Sequence, residues 1–111
     1  MNIEKLRKLC LSFPGATEGI KWEDHLCFMV AEKMFCVTGE DGTVSLKVAM
    51  EEFEELTERT DIIPTKYMAR NKWITIQRPG ALKPKEWEFY VAQSYKLIRD
   101  KLPKKVLAEL K

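Results

Sequence analysis

Between His25 and Val48 the chain writes two consecutive hairpins, and their turns sort the side chains of three strands onto two faces. Asp41-Gly42 between β-rich runs is a strong hairpin signal, because glycine accepts the positive φ that tight turns need. Glu32-Lys33 is a weaker turn pair. Two-residue loops at these positions predict Val30 opposite Phe35 and Val37 opposite Leu46. Side chains alternate along a strand, so each pairing constrains the rest. One face then collects Leu26, Phe28, Val30, Phe35, Val37, Val44, Leu46 and Val48, and reads as core. The other collects Cys27, Met29, Met34, Cys36, Thr38, Thr43, Ser45 and Lys47. That second face is neither core nor ordinary surface, and any function is expected to use it.

Periodicity organises the remainder. Ile3, Leu6, Leu9, Cys10 and Phe13 recur at helical spacing and predict a helix over 2–12, stopped by Pro14-Gly15. Residues 17–22 read as a short edge strand. A second helix, over 49–59, is expected to bury Met50, Phe53 and Leu56 and to leave an acidic outer face in water. Residues 60–70 read as a loop, with Pro64 disfavouring helix at Ile63. Residues 72–77 predict a fifth strand, with Ile74 and Ile76 on one side and Trp73 and Thr75 on the other. Lys83-Pro84 opens a long helix whose stripe is Trp87, Tyr90, Val91, Ser94, Ile98 and Leu102. Pro103 ends it before a short last helix. The order is α-β-β-β-β-α-β-α-α. It predicts an α+β fold, a single domain over 1–111: two layers, an antiparallel sheet of about five strands, and helices on one face.

Composition narrows the class. The chain is 45% hydrophobic and 32% charged, as in a soluble globular protein, and no apolar run approaches the roughly 20 residues that span a bilayer. The first residues form an amphipathic helix rather than a signal peptide, so the cytoplasm is the expected compartment. Cys10, Cys27 and Cys36 are odd in number and dispersed, and read as reduced. With one histidine they offer too few ligands for a metal site, and no cofactor motif occurs. His25 and Cys27 share a strand face by parity, but nothing orients them as a catalytic pair, and no other catalytic constellation is recognisable, so no enzyme is expected. The net charge of +2 hides an asymmetry: residues 1–60 hold 7 Lys/Arg and 12 Asp/Glu, residues 61–111 hold 12 and 5. A basic half indicates either an anionic partner or a solvated helix face.

The chain resembles the MmcQ/YjbR family of small bacterial proteins. The likeness is carried by Phe13-Pro14-Gly15 with Glu18 and Trp22, then Phe28-Met29-Val30, Lys33-Met34-Phe35 and Ser45-Leu46-Lys47. It continues through Lys72-Trp73-Ile74, Ser94-Tyr95-Lys96-Leu97 and Lys101-Leu102-Pro103-Lys104-Lys105. The order and spacing of these motifs cover almost the whole chain. The resemblance implies a secretion-chaperone-like α+β fold and a DNA-binding role in a double-wing arrangement.

Lys47 and Trp73 are expected side by side on the second face, an ammonium beside an indole, with Thr43, Ser45 and Thr75 nearby. That combination suits a phosphate and a stacked base, and aromatic stacking contributes roughly 1–3 kcal/mol per base. Lys66, Arg70, Lys72 and Arg78 flank the strand and would track a backbone. Lys33 in the first turn would touch phosphates, whereas Glu40 and Asp41 in the second would be repelled. The competing reading packs Trp73 under the 60–70 loop with Lys47 reaching across it. Two other functions stay open at this point. One is a protein partner or self-association through the soft Met29, Met34 and Cys36 patch. The other is a small-molecule pocket between the open face and the 60–70 loop.

Overall fold

The computed structural model describes residues 1–21, 25–39, 41–66 and 68–110. Trp22, expected to close the first strand, and Glu40, expected in the second turn, lie outside the described residues. Helix α1 (Ile3–Leu11) is followed by β1 (Ala16–Lys21), β2 (His25–Val30), β3 (Lys33–Thr38) and β4 (Val44–Lys47). Then come α2 (Met50–Thr57), β5 (Ile62–Pro64), β6 (Trp73–Ile76), α3 (Pro84–Arg99) and α4 (Lys104–Glu109). The strands form one antiparallel sheet in the order β1-β2-β3-β4-β6-β5. The architecture is the expected α+β, with six strands rather than five. The addition is β5, a three-residue edge strand inside the segment read as a loop. It carries Pro64, which lacks an N–H and is tolerated at an edge. Helices α1 and α3 pack on β1 to β4, and α2 packs on β5 and β6.

Both hairpin turns differ from the expected ones. The first loop is Ala31-Glu32, with φ of 49° and 66°, so Lys33 stands opposite Val30 and Met34 opposite Met29. A bulge follows: Cys36, not Phe35, faces Phe28, and Phe35 is the extra residue. The second loop is one residue longer than expected. Gly39 N–H donates to Thr43 O at 2.8 Å, and Gly42, at φ 78°, supplies the left-handed position. Cys36 then faces Leu46, Val37 faces Ser45 and Thr38 faces Val44.

The two one-residue shifts cancel by β4. Val44, Leu46 and Val48 lie in the core as expected, and Ser45 and Lys47 on the other side. Only the end of β3 is reversed. Cys36 joins Phe35 in the core, Val37 moves to the second face, and Thr38 moves to the helix side, its hydroxyl donating to Leu26 O at 2.9 Å.

The bulge also opens the ladder between β3 and β4. Phe35 O and Lys47 N–H, the next rung, do not meet. The buried Ser94 hydroxyl of α3 stands between them, donating to Phe35 O at 2.5 Å and accepting from Lys47 N at 3.0 Å. The preceding residue, Gln93, accepts from Ala49 N at 3.0 Å and donates to Glu52 at 2.8 Å. Tyr95 donates to Pro14 O and stacks on Phe13 at 4.7 Å. The long helix is therefore pinned to the β4–α2 junction and to the loop after α1.

Candidate functional site

The second face is a continuous row across all six strands: Gly19, Cys27, Val37, Ser45, Thr75 and Ile63. Its two halves differ. Toward β1 it is sealed. Cys27, Val37 and Trp73 form a small second core under Met34, Met68 and Ile98, the last reaching over from the end of α3. Toward β5 it is half-open and polar. Ser45 and Thr75 hydroxyls meet at 2.9 Å, and Thr65 and Thr75 hydroxyls at 3.0 Å, beside an exposed Ile63.

Lys47 and Trp73 stand directly opposite each other, on one side of the sheet as expected. The stacking platform does not exist, however. The indole is 4% exposed, and Met68 of the 60–70 segment covers it as the competing reading proposed. Lys47 Nζ donates to the Asn71 carbonyl at 2.5 Å. Its partial burial, and secondarily the charge of Lys101, hold its pKa below the usual lysine value. The four ion pairs among the described residues do not include Lys47 or Lys101.

The other basic candidates divide by strand direction. Antiparallel pairing puts the start of β3, the end of β4, the start of β6 and the end of β5 at one end of the sheet. Lys33, Lys47, Lys66 and Arg70 are carried there. Thr65 N–H donates to Trp73 O, which holds the Lys66 turn at that end, and Arg70 adjoins the Asn71 that caps Lys47. Two candidates do not join them: Lys72, although beside the start of β6 at the same end, turns its side chain away, and Arg78 lies apart. Lys72 takes a left-handed backbone, φ 61°, and its ammonium lies 4.9 Å from the centre of the Phe53 ring, against α2. Arg78 is at the opposite end, 3.8 Å from Asp61.

Lys101, just past α3, was missed. Its signal was the basic run of Lys101, Lys104 and Lys105, but only the packing of α3 brings Lys101 near enough for its charge to act on Lys47. The acids at this end include Glu32, in the first hairpin turn, Glu51 and Glu52, in the first turn of α2 directly after β4, and Asp100, which is paired with Arg99 at 3.1 Å.

The alternative surfaces change too. The Met/Cys patch is dispersed: Cys36 is in the core, Met29 is 8% exposed, and Met34 belongs to the second core. Clefts of about 510 and 500 Å³ lie on the helix side, and neither is lined by Lys47 or Trp73. The three cysteines are buried and free. Cys27 Sγ contacts the His25 carbonyl rather than its ring, and burial raises its pKa. Among the described residues no cluster of three or more His, Cys, Asp or Glu is placed to hold a metal ion, and no helix is long and apolar enough to cross a membrane.

Comparison with known proteins places these features in context. The sequence model of the YjbR family matches residues 11–97. Proteins of Escherichia coli K12 and O157:H7, each called Uncharacterized protein YjbR, are 29% identical and align with 99% of the chain and all of their own length. The crystal structure of Deinococcus radiodurans protein DR2400, a DUF419 domain, superposes with a TM-score of 0.88 at 27% identity, covering 98% of this chain and 87% of that one. A Pseudomonas syringae protein shares the fold, with a TM-score of 0.71 at 23% identity over 87% of this chain and 98% of its own.

Proposed function

The chain belongs to the YjbR family, and from that footing we propose that it is a non-enzymatic cytoplasmic module that binds DNA through its phosphates. The observation that supports this reading is the basic end of the sheet. Lys33, Lys47, Lys66, Arg70 and Lys101 come to it from four separate segments, and Lys47 and Lys101 repel one another there. A phosphate relieves that repulsion and releases counterions from the duplex, which is the main source of sequence-independent affinity. With Trp73 buried, the contacts position the duplex and do not read bases. Weak sequence preference follows. Asp41 in the far hairpin and the exposed Glu54, Glu55 and Glu58 farther along α2 keep the backbone away from the other surfaces.

The test is an amide-resolved NMR titration with a mixed-sequence duplex at low salt. Saturable shifts are expected at residues 33, 47, 66–70 and 101. Lys101→Gln should weaken binding, and Arg78→Gln should not. Absence of a saturable change at low salt, or shifts centred on α2 or the 39–43 hairpin, overturns the reading.

A further inference from the structure

We propose that the two clefts flanking Trp87 form one binding site for a monomeric long-chain carboxylate, independent of the basic end of the sheet. The clefts, about 510 and 500 Å³, share Met1 and Trp87 and so adjoin one another, as two arms of one site would. Each is within the range of small-molecule sites.

The first arm runs between the start of α1 and the β3–β4 hairpin. Its walls include Leu6, Leu26, Val44 and Trp87, and the Thr38 hydroxyl in it is already spent on Leu26 O. Ile3, which also lines it, is 50% exposed. The second arm runs between α1 and the start of α3. There Lys5 and Lys8, one helical turn apart on the same side of α1, stand over it with a single acid, Glu88. An apolar slot leading to two ammonium groups complements an acyl chain ending in an anion. Each arm is a cleft with two walls, α1 and the β3–β4 hairpin for the first and α1 and the start of α3 for the second, a concavity that a flat bilayer surface does not enter. The occupant is therefore a free chain and not a membrane.

The experiment is an NMR titration with dodecanoate below its micellar concentration, with octanoate, dodecyltrimethylammonium and phosphatidylglycerol vesicles as parallel arms. Saturable shifts are expected at Leu26, residues 38–44 and the Trp87 indole N–H. Affinity should rise about two- to fourfold per added methylene. The cationic chain should bind about fivefold more weakly, the scale of two surface charge contacts. The Lys5→Glu/Lys8→Glu variant changes only exposed positions and should reverse that preference. Lack of saturable binding, equal binding of both headgroups, shifts on the Cys27–Trp73 side, or binding to vesicles without binding of the monomer each overturn the proposal.

Discussion

Ser94 does with one oxygen what a rung of the sheet does elsewhere. Its hydroxyl donates to Phe35 O and accepts from Lys47 N, so both backbone groups of the broken β3–β4 rung are satisfied in a fully buried position. Sequence periodicity placed Ser94 on the buried stripe of the helix, which the structure shows, but gave no sign of the gap it fills. Alanine there leaves an acceptor and a donor without partners, each worth roughly 1–3 kcal/mol when buried. Ser94→Ala should lower stability by about 2–4 kcal/mol, read from the urea midpoint at unchanged m. A loss below about 0.5 kcal/mol would mean that the strands close over the gap once the hydroxyl is gone. The same residue fixes the backbone of Lys47, whose amine is held at Asn71 O. The charge at the basic end is thus anchored from both sides.

At the level of elements, alternation was informative only where strand residues differ in polarity. In β4, Val-Ser-Leu-Lys alternates apolar and polar residues, and in β6, Trp-Ile-Thr-Ile, Thr75 marks the polar side; in both the sides were assigned correctly. In β3, Met-Phe-Cys-Val is apolar at every step, so either parity buries hydrophobic surface and the bulge leaves no trace in the pattern. The cover of Trp73 by the 60–70 segment, through Met68, was one of the two readings the sequence allowed, whereas the part played by Ile98 of α3 left no trace in the pattern. Asp41-Gly42 announced its hairpin. Ala31-Glu32 did not, since neither residue favours the left-handed backbone both adopt. That mismatch yields a prediction. Glu32 is exposed at φ 66°, and glycine takes this conformation freely. Glu32→Gly should stabilise the protein by about 0.5–1 kcal/mol, the strain relieved exceeding the added freedom of the unfolded chain. In a thermal scan this is a rise of roughly 2–6 °C. A fall in Tm would show that the Glu32 side chain itself supports the turn.

For the whole molecule, a formal charge of +2 understates the field a duplex would meet. Acidic residues predominate in the first 60 positions and basic ones in the rest, and chain order alone does not separate them in space. The fold gathers part of the basic set, because β6 inserts beside β4 and Lys101, just past α3, comes near enough for its charge to act on Lys47. Positive charge from early and late segments therefore meets at one end, while Arg78 is neutralised by Asp61 at the other. If binding depends on that local concentration, its salt dependence follows the number of phosphates neutralised and not the net charge. For a duplex, log Kd should rise linearly with log salt, and each lysine removed from a phosphate should reduce the slope by about 0.9. Lys101→Gln is expected to show that decrement. Arg78→Gln, an equal change in net charge, is expected to leave the slope where it was. Glu51→Lys with Glu55→Lys raises the net charge on the exposed side of α2, and should tighten binding modestly at low salt without steepening the slope. Slopes that follow net charge across all these variants would show the association to be diffuse attraction with no defined phosphate contacts.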